Sequence, residues 1–148
     1  MNTAILAPAA ALIVWSIVML VWMAATRFPA MGKLATERKT ARKSGGIARP
    51  GGRGQDLEGV IDDRVNWKSH NYTHLMEQPT LFYAVTIILA IVGATPDMVI
   101  AAWIYTGVRI LHSLWQALVN TIPIRLMLFL ISTFALSYLA VRALVATL

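Results

Sequence analysis

The stretch LMEQPTLFYAVTIILAIVGATPDMVIAAWIYTGVRILHSLWQALVNTIPIRLMLFLISTFALSYLAVRALVATL, residues 75–148, holds three apolar runs separated by two short breaks. The breaks, Ala94-Thr95-Pro96-Asp97 and Asn120-Thr121-Ile122-Pro123, are made of turn residues. Each run is about the length that crosses the roughly 30 Å hydrocarbon core of a bilayer. Upstream, Met1 to Thr26 carries no charge, and Ile5 to Ala25 is long enough for a fourth span. A cleavable signal peptide would need a basic start and an apolar core of only about 7–15 residues, so a retained helix is the better reading. The expected fold is therefore an all-α, integral membrane four-helix bundle in a single domain. Helices are expected at about 4–26, 70–94, 98–120 and 125–147, with a basic loop over 27–68. Arg27 and Pro29 are expected to end the first helix. Asp62-Asp63 is placed to cap the helix that leads into the second. Ser44-Gly45-Gly46 and Pro50-Gly51-Gly52-Arg53-Gly54 mark flexible chain within the loop.

Composition agrees. The 148 residues are 57% hydrophobic and only 14% charged, against about 45–50% and about 25% in soluble domains. Net charge is +6, yet ten of the thirteen Lys and Arg fall between Arg27 and Lys68. That is a basic loop on an apolar chain, attracted to anionic lipid, and not a nucleic-acid-binding face. By the positive-inside rule the loop is cytoplasmic and both termini face outward, with Trp22, Trp67 and Trp103 near the span ends. There is no cysteine, which excludes disulfides, cysteine nucleophiles and Cys-ligated metals.

The informative residues are polar ones inside spans. Tyr105, Arg109, His112, Gln116 and Asn120 step by four, three, four and four along the third span and share a face, with Ser113 beside it. A central Arg costs about 2.5–3.5 kcal/mol even on the lenient insertion scale, so Arg109 needs a partner, water or a ligand. On the second span Asn71, His74 and Glu77 follow in three-residue steps. Counted back from the turn near Pro96, Glu77 lies roughly 9 Å in depth from Arg109 at 1.5 Å per residue, a gap that a long Arg side chain largely covers, so Glu77 is the expected counter-charge of Arg109. Two readings stand side by side: a structural Glu77–Arg109 network that fixes helix register, and a polar cleft that binds an anionic molecule beside a lipid face admitting an apolar one. His70, His74 and Glu77 also have metal-ligand spacing on one helix, but the chain's three His are few for such a centre, and no metal is expected.

Two stretches carry a family resemblance: His70-Asn71-Tyr72-Thr73-His74-Leu75-Met76-Glu77-Gln78-Pro79 and Arg109-Ile110-Leu111-His112-Ser113, together with the spacing from Arg109 to Arg125. With four spans and a basic first loop, they resemble the MAPEG superfamily, the membrane-associated proteins in eicosanoid and glutathione metabolism. The resemblance is to a divergent, bacterial-type member. It implies a homotrimer in a bacterial inner membrane, in contact with membrane lipid. It also implies glutathione as co-substrate in a cleft between subunits, and attack of its thiolate on a lipophilic small-molecule electrophile, as in a transferase or peroxidase. Arg125 stands where the family's thiol-activating arginine lies. Arg109, Glu77, His74, Asn71, His112 and Gln116 are the implied glutathione-binding set. His74 replaces an Asn of the family motif, and His112 and Gln116 stand where catalytic members often carry tyrosines. The alternative is a non-catalytic binding or scaffolding protein on the same fold.

Overall fold

The computed structural model describes residues 3–40 and 53–148. A short 3-10 turn, Thr3–Ile5, leads into α1, Leu6–Thr40; α2 covers Asp63–Val92, α3 Pro96–Leu118 and α4 Ile122–Thr147. All four helices are long and apolar enough to cross a membrane. A second 3-10 turn, Gly54–Leu57, precedes α2, and the glycine-rich Ser44–Gly52 segment lies outside the described residues.

Each helix buries a seam that alternates steps of four and three. The seams are Ile5, Ala9, Leu12, Ser16 and Met19; Leu75, Pro79, Phe82, Thr86 and Leu89; Met98, Ala102, Tyr105, Arg109, His112 and Gln116; and Ser132, Leu136, Leu139 and Ala143. That 3.5-residue period is the pattern of a left-handed bundle. Leu81, Ile91, Ile100 and Phe134 stand outward on the opposite faces, each more than 60% exposed, as side chains in contact with lipid would. Phe82 stacks on Tyr105 with ring centroids 4.2 Å apart, and Thr106 Oγ1 donates to the Pro8 carbonyl (3.0 Å), tying α3 to α1.

Two helix ends differ from the sequence expectation. α1 runs through Pro29 to Thr40, so it does not stop at Thr26. Proline costs a helix about 3 kcal/mol at its own position, but the residues after it (Ala30, Met31, Lys33, Leu34, Ala35) are strong helix formers that add almost no further cost, so the helix continues past it. At 1.5 Å per residue the 35-residue helix is about 52 Å long, well beyond the hydrocarbon thickness. α2 begins seven residues before position 70, at Asp63, with Asp62 as its N-cap: the Asp62 carboxylate accepts from the Arg64 amide at 2.7 Å.

The two tight connections use the left-handed region. Gly93 (φ 108°) ends α2, and Pro96 opens α3 at its first position. Asn120 (φ 58°) ends the turn after α3, its amide donating to the Trp115 carbonyl at 2.8 Å. At the α2–α3 turn end of the bundle, Asp97 accepts from Tyr138 Oη and from Arg142 Nη1 (3.3 Å). This clasp joins the first turn of α3 to the last turns of α4.

Candidate functional site

The polar seam of α3 meets α2 and α4 at the opposite, loop end of the bundle. Asn71 on α2 is fully buried and donates through Nδ2 to Ser113 Oγ (2.8 Å). One turn on, the His74 ring stacks on His112 with centroids 5.8 Å apart and planes 13° apart. Phe129 of α4 tilts against the same imidazole at 6.4 Å. Arg109 is 1% exposed and donates from Nη2 to the His74 main-chain carbonyl at 2.8 Å. Its Nε and Nη1, like Asn71 Oδ1 and Gln116 Oε1, have no protein partner among the described residues.

The expected Glu77–Arg109 pair does not form. Glu77 is exposed, and no ion pair between the two occurs among the described residues. Three-residue steps drift by about 60° each around a helix of 3.6 residues per turn, so Glu77 has left the face that holds Asn71. Relative to the buried Leu75 it lies about 200° around. Glu77 stays within electrostatic reach of Arg109 without touching it. Nor do His70, His74 and Glu77 gather into a metal site: no group of three such side chains converges among the described residues.

Arg125 enters from the first turns of α4. Asn120, held in its left-handed conformation by the turn, accepts from Arg125 Nη1 at 2.7 Å. The turn thus aims the guanidinium. Arg125, His74 and His112 line a cavity of about 410 Å³ whose other walls are Ile122, Leu126 and Phe129. The chamber is an apolar pocket with one fixed positive charge and two imidazoles. Of the expected set, Arg125, His74 and His112 face it; Asn71, Gln116 and Arg109 are buried in the seam behind, and Glu77 is on another face.

His74 also lines a second cavity, about 330 Å³, with Asn66, Ser69, His70 and Thr73 on its α2 wall. The segment 54–58 covers it. Three contacts hold that strap: Arg27 donates to the Gly54 carbonyl, Asn66 Nδ2 to the Leu57 carbonyl (3.3 Å), and His70 Nε2 meets Glu58 Oε1 at 2.8 Å. Arg27 also donates to Ser69 Oγ, tying α1 to α2. Sequence reading missed Glu58 and the contact of Arg27 with Ser69, which stands with His70 where the family motif carries an arginine. Arg27 carried a signal, since a cation at the end of an apolar run needs a partner, but nothing in the sequence paired it with Ser69.

The polar seam, the two cavities meeting at His74 and the four spans now bear on the family comparison. The model of the MAPEG family matches residues 5–145, almost the whole chain. The chain belongs to the MAPEG family. No curated protein and no solved structure gives a match. Membership makes this a multi-pass membrane protein of a family associated broadly with glutathione and eicosanoid metabolism.

Proposed function

We propose that this MAPEG protein is a glutathione-dependent transferase or peroxidase acting on lipophilic electrophiles. The observation that carries the reading is the 410 Å³ cavity, where Arg125 stands against an apolar wall of Leu126 and Phe129. A thiol brought beside a fixed guanidinium in such a place gains thiolate, by the effect that activates cysteines near cations. The thiol proton leaves to solvent water. The sulfur lone pair then attacks the electrophilic carbon, forming the C–S bond as the bond to the leaving group breaks. In this reading the polar cavity under the strap takes the peptide's carboxylates and amine, and His74, common to both chambers, sits at the junction. His112 lines the sulfur side. Arg109 acts through His74 by holding its carbonyl, while Asn71 and Gln116 fix the seam. Glu77, outside the subunit's own core, faces a neighbouring copy in a homotrimer and supplies a counter-charge for the peptide's amine. In this reading the membrane is a bacterial inner membrane and this end of the bundle faces the cytoplasm, an orientation that the positive-inside rule supports.

Titration of the detergent-solubilised protein with glutathione, read by thiolate absorbance, tests this. A saturable signal at neutral pH that Arg125→Ala abolishes, with the protein's size in detergent unchanged, is expected. No signal, with no heat of binding, overturns the proposal. It then favours the second reading, a non-catalytic binding or scaffolding protein, which draws its support from the deep burial of Arg109.

A further inference from the structure

Gly54, Gln55 and Glu58 of the strap form one side of the 330 Å³ cavity, and α2 forms the other. From Gly54 to Glu58 every strap residue is exposed except Leu57, which is half-buried. No apolar anchor fastens the segment. What seats it is the set of three polar contacts: Arg27 to the Gly54 carbonyl, Asn66 to the Leu57 carbonyl, and His70 to Glu58. The His70 and Glu58 side chains are 45% and 54% exposed. Contacts between exposed groups are individually weak, and a segment held by a few of them opens without the rest of the bundle unfolding.

The two carboxylates of the strap are used differently. Asp56 turns back on its own turn, Oδ2 accepting from the Arg53 amide at 2.8 Å. Glu58 lines the cavity and accepts from His70 Nε2 at 2.8 Å. The neighbouring cations are engaged elsewhere: Arg27 donates to the Gly54 carbonyl and Ser69 Oγ, and Lys68 to the Arg64 carbonyl, over the Trp22 ring. When the strap is closed, a carboxylate of the chain itself thus occupies the imidazole on the cavity's α2 wall.

We propose, on the reading that this cavity takes the peptide's carboxylates, that the strap is a gate latched by Glu58, and that a ligand carboxylate opens it by taking Glu58's place on His70. The latched and the bound states use the same imidazole nitrogen, so each excludes the other. Exchange of one carboxylate for another leaves His70 paired in both states and releases Glu58 to water. A neutral ligand parts the latch and puts nothing in its place, so the gate favours acidic ligands. The apparent affinity is the affinity of the open cavity reduced by the fraction of molecules whose strap is open.

The test uses the full chain in detergent and S-methylglutathione as the probe, which keeps the peptide's carboxylates and has no free thiol. Calorimetry reads binding, and hydrogen exchange of the 54–58 amides without ligand reads strap opening. Glu58→Gln is expected to speed that exchange and to tighten binding about two- to fivefold, the weight of an exposed ion pair. Leu57→Ala loosens the strap without changing its charge, and is expected to move both readings in the same direction. Both positions lie outside the bundle's core, so helicity and size in detergent are expected to stay the same. Exchange no faster in either variant, or binding unchanged in both, overturns the proposal. So does tighter binding in Glu58→Gln alone, which would leave only charge repulsion between Glu58 and the peptide. Absence of probe binding in all three proteins overturns it as well. Tighter probe binding in both variants, with no thiolate signal from glutathione itself, upholds the gate and removes the thiol-activation reading instead.

Discussion

Replacing Arg109 by methionine is expected to leave the fold as stable as before or more so. The guanidinium is 1% exposed within a membrane-spanning helix, makes one hydrogen bond, and has two nitrogens without a protein partner among the described residues. A charge at such a position costs about 2.5–3.5 kcal/mol on the insertion scale. The bond to the His74 carbonyl, charge-assisted, returns about 1.5–3 kcal/mol. Methionine has a similar reach, fills irregular space and carries no charge, so it removes both terms while keeping most of the packing. The difference ranges from about 2 kcal/mol of stabilisation to about 0.5 kcal/mol of loss, centred near 1 kcal/mol of gain. Reversible unfolding in mixed micelles, followed by circular dichroism, measures it. Under the proposed function the same variant binds glutathione more weakly, because His74 loses the contact that fixes its backbone. A loss of more than about 2 kcal/mol would refute the reasoning, since only a guanidinium engaged with a counter-charge costs that much to remove. A double change with Glu77→Gln then tells whether Glu77 is that partner: non-additive losses would place the carboxylate on Arg109 in the assembled protein.

Asn120 separates two roles of one residue. Asn120→Gly is expected to keep the turn at φ 58°, changing stability by under about 0.5 kcal/mol, while freeing Arg125 and weakening thiolate formation. Asn120→Ala adds about 1–2 kcal/mol of left-handed strain, seen as a lower unfolding midpoint. For the strap, Glu58→Ala removes an exposed contact to His70. It is expected to cost under about 1 kcal/mol but to speed proteolytic cleavage within 53–61; an unchanged cleavage rate would show that the contact does not hold the segment.

The spans were legible because breaks such as Thr95-Pro96-Asp97 interrupt long apolar runs, and the α3 ladder because Tyr105, Arg109, His112 and Gln116 alternate four and three steps. In the other helices the same alternation hides in plain view. Residues facing lipid are as apolar as Leu12 or Leu89, so no contrast marks the buried side. Pro29 misled because a proline disturbs only its own turn, and the strong helix formers that follow carry the helix on. Glu77 misled because repeated three-residue steps look like one face over one turn and are not over two. Arg27, Ser69 and Gly54 are joined only by how the chain folds back, which local pattern does not encode. Ile122, Leu126 and Phe129 read as ordinary span residues, though together they wall the Arg125 cavity.

The clasp of Asp97, Tyr138 and Arg142 closes a ring. The tight turn through Asn120 already joins α3 to α4 at the Arg125 end, and the clasp joins them again 17 residues, or about 25 Å, along α4. Fastened at both ends, α3 and α4 move as one bar. The Arg125 cavity, walled by His74 of α2 and by residues of that bar, then changes width by movement of α2 against the pair and not by α4 parting from α3.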